Sequence, residues 1–483
     1  MYWSSVLRIA GLLLVLFSTT MLPPALIAFI YDDPGLVPFL VSFGILLVVG
    51  VVIWLPVSRC KRELRTREGF LVVVLFWTVL GLSGAIPFTL SAAPQISITD
   101  AAFESMSGLT TTGATVLVGI EHLPESIRFY RQQLQWLGGM GIVVLAVAIL
   151  PMLGIGGMQL YRAETPGPVK DSKLTPRIAE TAKALWYIYA TLTMACALAY
   201  KLAGMSWFDA IGHSFSTVAI GGFSTYDASI GHFNSPLISM ICVVFMLIAG
   251  INFAMHFIAW RTRSLMHYLR EQEVRWFIGI MVTLGAVVTA TLMLTEYYGS
   301  WDETLHQAIF HTVSIGTTAG FATDSYAQWP LFLPLLLVMA AFIGGCAMST
   351  AGGIKVVRFM LLIKQGHREV IRLVHVQAQV PIKVGNRAVP ERVVDAVWGF
   401  FSIYIALFAL MMLILMGTGL DQVTAFSAVA ANITNLGPGL GDVTDNFSGI
   451  SDLAKWVLMF AMLVGRLEVF TLLVLFSPAF WRD

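Results

Sequence analysis

One short polar, glycine-bearing segment occurs four times in this chain, each time between two long apolar runs. The copies read FESMSGLTTTGA at 103–114, GHSFSTVAIGGF at 212–223, FHTVSIGTTAGF at 310–321 and SAVAANITNLGP at 427–438. They register on Gly113, Gly222, Gly320 and Gly437, at near-equal intervals. Polar, irregular backbone at membrane depth is tolerated only where it is buried in protein or lines a cavity. For any single copy, close helix packing through small residues is an adequate explanation. Four copies in register instead imply four equivalent loops around one axis, the plan of a pore.

The membrane placement follows from composition. The 483 residues are 57% hydrophobic and only 12% charged, against about 25% charged in an ordinary soluble domain. Mean hydropathy is +0.79. The four cysteines, Cys60, Cys196, Cys242 and Cys346, have neither paired nor metal-type spacing, so packed thiols are expected. The first apolar run, behind Arg8, lacks a small-x-small cleavage site and reads as an uncleaved span. A net charge of +1 says little about partners, and no nucleic-acid ligand is expected.

The expected fold is an all-α polytopic membrane protein with four pseudo-repeated helix–pore-loop–helix units around one central pore. Long helices are expected near 8–30, 36–57, 70–93, 127–155, 180–203, 236–262, 274–298, 332–362, 393–418 and 453–480. Half-length pieces fall near 99–111, 207–219, 304–317 and 422–434, too short to span and too apolar for ordinary loops. The division is an N-terminal hairpin at 1–60, then units at 61–165, 166–265, 266–380 and 381–483. Most Lys and Arg lie in the joins between units, for example Arg59, Lys61, Arg62, Arg65 and Arg67, Arg162, Lys170, Lys173 and Arg177, and Arg261, Arg263, Arg270 and Arg275. The last join holds Lys355, Arg358, Lys364, Arg368, Arg372, Lys383, Arg387 and Arg392. By the positive-inside rule these joins and both termini are cytoplasmic, and the half-helices enter from outside, where Arg128, Arg131, Lys201 and Lys455 are the few basic residues.

A dehydrated monovalent cation needs a cage of oxygens in place of its water, and backbone carbonyls of four loops can supply one. Glycine in a fixed column suits the backbone angles this demands, and a helix ending at each loop turns its partially negative C-terminus toward the ion. The residues before the glycines, Thr111-Thr112, Ile220-Gly221, Thr318-Ala319 and Asn435-Leu436, share no side chain, so only their carbonyls could form a common ring.

The motifs TTTGAT, TVAIGGFST, TTAGFATD and TNLGPGLG, with YRQQLQWLGGMG, STAGGIKVVR and GRLEVFTLL, resemble the Trk/Ktr/HKT potassium transporter superfamily, and the similarity runs through essentially the whole chain. The resemblance implies potassium uptake across the bacterial inner membrane, a homodimer, and a cytosolic nucleotide-binding regulatory subunit of the TrkA type. It also implies K+ at the filter residues Thr111, Thr112, Gly113, Ile220, Gly221, Gly222, Thr318, Ala319, Gly320, Asn435, Leu436 and Gly437. Glycine in all four columns goes with potassium in this family, whereas serine in the first often goes with sodium.

Two departures from symmetry lie after the glycines. Gly139, Gly250, Gly345 and Gly465 occupy one column, and the next residue is Met140, Ile251, Cys346 and then Arg466. A charge in mid-membrane is usually functional. Arg466 either projects into the conduction path as a barrier or pairs with an acid from another helix; Glu468, two residues on, points elsewhere. The stretch 344–353, with Gly344, Gly345, Ser349, Thr350, Gly352 and Gly353, is too rich in glycine for a helix centre. It reads as a break or as tight packing, and the resemblance implies an intramembrane gating loop. Glu104, His213 and His311 share a column, with Ala428 the exception; they either tune or brace the filter or are satisfied polar groups inside a re-entrant helix. Asp100 and Asp209 sit where helix caps are needed.

Rival functions are a sodium or mixed-cation pathway on the same scaffold and, remotely, an intramembrane protease using Asp32 and Asp442. Both acids fall in outer loops, and no GxxxxGK phosphate loop is present, so no enzymatic activity is expected.

Overall fold

The computed structural model describes residues 3–59, 66–144, 178–385, 387–467 and 469–481. The fold is all-α and polytopic; among the described residues the one sheet is the antiparallel pair Lys383–Val384 and Arg387–Ala388. Cys60, Lys61, Arg62, Arg65, Arg162, Lys170, Lys173, Arg177 and Glu468 lie outside the described residues, as do the end of the expected 127–155 helix and the boundary at 165/166. Among the described residues six helices are long and apolar enough to cross a membrane, and a bent pair would make a seventh.

A leading hairpin, Trp3–Thr19 with Leu22–Tyr31 against Leu36–Trp54, packs closely through Gly11 and Gly50. A Cβ at Gly11 would lie 2.8 Å from the Trp54 amide nitrogen, so close small-residue packing does operate here. Asp33 ties the hairpin to the first unit by accepting from the Ser126 amide (2.8 Å) and hydroxyl (2.9 Å).

Four units follow. Their outer helices are Thr66–Ser83, Ile178–Leu202, Gln272–Leu294 and Glu391–Gly417. Their short pore helices are Ile98–Leu109, Trp207–Val218, Trp301–Gly316 and Gln422–Ile433. Every pore helix starts on a side-chain cap. Ser97, Ser206 and Ser300 accept from the amides of Asp100, Asp209 and Glu303, and Asp421 accepts from those of Val423 and Thr424. The caps are thus the serines, with Asp100 and Asp209 one turn further in. A twelve-residue helix is about 18 Å long, roughly half a bilayer.

The inner helices depart from the expected long rods. The second runs Pro236–Ala249, breaks at 250–252 and continues as Phe253–Thr262 at 92°. The third stops at Ile343 and resumes at Val356–Val374. The fourth, Asp452–Arg466, ends before short pieces at Phe470–Leu473 and Pro478–Trp481. The expected 70–93 helix also divides, into Thr66–Ser83 and Ile86–Leu90, with Pro87 in the first turn of the second piece.

Candidate functional site

The four glycine-bearing loops follow the pore helices directly and share one backbone geometry. Each glycine has a positive φ: Gly113 +83°, Gly222 +80°, Gly320 +79° and Gly437 +97°. So does the residue two before it, Thr111 at +52°, Ile220 at +53°, Thr318 at +69° and Asn435 at +57°. Left-handed backbone costs a residue with a Cβ about 1–2 kcal/mol, so four repetitions with unlike side chains mark a geometry the surroundings enforce. Part of that enforcement is local. Between these two residues, the amides of Thr112, Gly221, Ala319 and Leu436 donate to the carbonyls of Ser107, Ser216, Ser314 and Ala431, at 2.8, 2.9, 2.7 and 2.7 Å. A positive φ on either side of a negative one is a backbone that neither ordinary strand nor helix adopts.

The loops form a closed circuit. A Cβ placed on Gly113 would strike the carbonyl oxygen of Gly221, one on Gly222 that of Ala319, and one on Gly320 that of Leu436. One on Gly437 would lie 2.7 Å from the carbonyl oxygen of Thr112. Each glycine thus faces the carbonyl one residue before the glycine of the next unit, and the fourth returns to the first.

A second circuit surrounds the outer mouth. Asp227 accepts from the amides of Gly119 (2.7 Å) and Ile120 (3.0 Å), joining units one and two. Gly231 donates to Ala322 O (3.1 Å), Tyr326 Oη to Gly439 O (3.1 Å), and Phe447 N to Thr115 O (2.8 Å). They enclose a mouth of about 370 Å³ lined by the four glycines and by Arg131, Asp227 and Asp445 among others. At the edge of this mouth the Glu121 carboxyl accepts from the Asp227 amide (3.2 Å), and backbone hydrogen bonds hold its pKa below the usual carboxylate value.

Glu104, His213 and His311 brace pore helix to returning loop. Glu104 accepts from Thr115 Oγ1 and the Val116 amide, each at 3.0 Å. His213 Nε2 meets Ser224 Oγ at 2.9 Å, and His311 Nε2 meets the Asp324 carbonyl at 3.0 Å. In the fourth unit, where the column is Ala428, the neighbouring Ser427 hydroxyl does this work through both backbone groups of Leu440. Sequence reading named Arg131 only as one of the few basic residues on the half-helix face and gave it no role at the loops. Its guanidinium is 1% exposed, pairs with Glu104 at 2.7 Å, donates to Ser224 O at 2.9 Å and lies 4.2 Å from the Phe223 ring centroid. Gln135 was also missed: its amide grips Gly221 O (2.6 Å) and the Phe223 amide (3.1 Å). Arg131 is followed directly by Gln132 and Gln133, which gave no signal of burial; only the number of polar residues in that apolar context could have suggested it.

Directly beneath the circuit lies the segment 344–355, nearly all of it buried. Gly344 and Gly353 have φ +69° and +76°, and the ends close on each other where Ile354 and Lys355 donate to Phe342 O and Ile343 O. The segment touches three pore loops from below. Thr350 Oγ1 donates to Val218 O (2.9 Å), the Gly352 amide to Thr318 Oγ1 (2.7 Å), and the Gly353 amide to Thr434 O (3.0 Å). Glu273 accepts from the Ala347 amide (2.7 Å), and Ser349 donates to Cys346 O (2.6 Å). A Cβ on Gly345 would lie 2.5 Å from that of Ala351, so the turn of the segment is packed against itself.

Arg466 bridges this segment and the first loop. Nη2 donates to Thr111 Oγ1, Nη1 approaches Thr350 O at 3.4 Å, and Nε is buried without a hydrogen bond among the described residues. No carboxylate of the described residues pairs with it. Asn435 Nδ2 closes the ring beside it, donating to Thr112 Oγ1 (2.9 Å) and Met462 O (3.1 Å).

Four helix C-termini, each equivalent to about −0.5 charge, around a circuit of backbone oxygens define a polytopic transporter of cations. The family TrkH, described as a cation transport protein, matches residues 38–483, and the chain belongs to that family. The Trk system potassium uptake protein TrkH of Escherichia coli K12 is 59% identical over 483 residues, all of both chains. Its counterpart from Vibrio parahaemolyticus is 60% identical over 485 residues, again all of both chains. The crystal structure of the potassium transporter TrkH from Vibrio parahaemolyticus superposes with a TM-score of 0.93 at 57% identity, covering 100% of each chain. The chain is thus a transporter and not an enzyme.

Proposed function

We propose that this protein takes up potassium across the bacterial inner membrane through a filter of backbone carbonyls at 111–113, 220–222, 318–320 and 435–437. The observation that carries the reading is the closed circuit, in which each left-handed glycine faces a carbonyl of the next unit. The relatives' names supply the ion, and the geometry supplies the means: carbonyls replace the hydration shell, and glycine alone fits the close approach. Dimerisation and control by a TrkA-like cytosolic subunit, with both termini cytoplasmic, complete the proposal.

Below the filter, the 344–353 segment acts as the gate and Arg466 as an electrostatic barrier. The pore-helix ends supply about −2 charges in all, so one guanidinium offsets about half of their attraction. Its two contacts, Thr111 on one side and Thr350 on the other, let it move with the gate while resting on the filter.

The test is ion-substituted flux in proteoliposomes of the purified chain, with and without the cytosolic subunit. Potassium and rubidium uptake that excludes sodium is expected. Equal sodium and potassium fluxes would reject the filter and leave a mixed-cation pathway.

A further inference from the structure

The break in the second inner helix has a use that ion conduction alone does not explain. Between the outer helix Ile178–Leu202 and the bent half Phe253–Thr262 lies a groove of about 1070 Å³, at the upper end of the size of ligand clefts. Its walls are apolar through Ile188, Leu192, Ile251 and Phe257, and hydroxyls of Tyr187, Thr191, Ser264 and Tyr268 stand around them. Among the described residues Arg263 is the lining cation, and no carboxylate lines the groove. The Arg263 side chain is exposed, with neither an ion pair nor a hydrogen bond among the described residues. Beside it Trp260 is 75% exposed, Leu265 77% and Leu269 68%. A tryptophan and basic side chains over an apolar trough match the interfacial layer of a bilayer.

The groove's floor is the bend itself. His256 Nε2 meets the Ile248 carbonyl (3.0 Å) across the break, and its Nδ1 meets Tyr268 Oη (2.8 Å). At the same break, the Gly250 carbonyl accepts from the Cys346 amide (2.9 Å) and Phe253 N donates to Met348 O (3.1 Å). Ile251 and Tyr268 of the groove pack in one cluster with Cys346, so the bend contacts both the groove and the 344–353 segment.

We propose that the groove binds one anionic phospholipid, its phosphate on Arg263 and its acyl chains along Ile188, Leu192, Ile251 and Phe257, and that this lipid holds the bend against which the 344–353 segment rests. An acyl chain satisfies the apolar walls, and the phosphate supplies the charge that the lining lacks. Binding at this site does not depend on which cation crosses the pore.

The full-length chain, purified in detergent and offered equimolar phosphatidylglycerol and phosphatidylcholine, is examined by native mass spectrometry. Preferential retention of one phosphatidylglycerol is expected. Arg263→Gln, an exposed change with little bearing on folding, lowers retention about fivefold, the worth of one basic residue at an anionic surface. Arg270→Gln, outside the lining, leaves retention unchanged. Equal loss in both variants means diffuse surface attraction and overturns the site, as does retention unaffected by Arg263→Gln. A lipid-free dimer whose groove residues cross-link between copies also overturns it, because a second copy is then the occupant. Flux in phosphatidylcholine vesicles reads the second half: it falls to the level of Arg263→Gln in phosphatidylglycerol vesicles, and equal flux in both lipids rejects control through the bend. Retention is read without any ion gradient, so its outcome is separate from that of the potassium assignment.

Discussion

The layer at the four glycines and the layer just beneath it obey opposite rules. At the glycines, four segments with unlike side chains repeat the same pair of left-handed residues and the same amide-to-carbonyl bond. A few ångströms below, one inner helix bends by 92°, one opens into a loop, and one ends on an arginine. Symmetry is kept where each glycine faces a backbone carbonyl of the next unit and is abandoned where the inner helices end or bend. A filter tolerates little variation because its ligands are main chain; control of opening needs elements that differ, because only an element with two arrangements can switch.

The largest effect is expected from the braces that impose the upper symmetry. Arg131→Leu leaves Glu104 buried without its partner and costs about 3–5 kcal/mol, read as lost thermal stability of the purified protein. Unchanged melting would show that the pair does not hold the first loop.

Next is the circuit itself. Gly320→Ala puts a methyl group against the Leu436 carbonyl at a φ of +79°, and backbone strain alone, about 1–2 kcal/mol, lowers potassium flux about tenfold. Gly113→Ser is the finer version: uptake persists and discrimination against sodium falls. If both variants conduct and select normally, the upper layer is not the filter.

The lower layer is sharpened by Arg466→Ala, which raises flux several-fold by removing an offset of about half the pore-helix attraction. Equal flux at equal protein abundance would reassign Arg466 to a structural bridge. Replacing Gly352 and Gly353 with alanine should hold one conductance state, because a Cβ at 353 meets the Ala341 carbonyl at 2.7 Å; normal regulation would argue against a gate.

The smallest effect is at the mouth. Glu121 has a lowered carboxyl pKa in the folded state, so the stability it contributes is fully present above its ordinary value of 4.5, neutral pH included, and is lost as pH falls through the folded value. Hydrogen-exchange protection around 119–121 and 227, taken relative to the intrinsic rate at each pH, should therefore fall in acid, and Glu121→Gln should abolish that dependence.

Much of the upper layer was legible because it rests on glycine, whose role depends on backbone alone. The half-length pieces expected at 99–111, 207–219, 304–317 and 422–434 correspond to helices at Ile98–Leu109, Trp207–Val218, Trp301–Gly316 and Gln422–Ile433. The second left-handed position was invisible, since Thr111, Ile220, Thr318 and Asn435 have no residue type in common and their angles come from neighbours. The break at 250–252 was hidden by apolar sequence on both sides; only Asn252, capping the Ala254 amide at 2.8 Å, hints at a new helix start. The bracing role of Arg131 was missed because counting charges by face ignores a partner 27 residues earlier.

The peptide runs only once around the axis, so three junctions between neighbouring quarters are tethered by covalent chain and the fourth is not. That seam is fastened by Lys455 on Asp100 (2.6 Å), Asn435 on Thr112 and Phe447 on Thr115. Without the fourth quarter the other three would form an open crescent, because Gly320 would lose the Leu436 carbonyl that it faces and Gly437 would no longer return to Thr112.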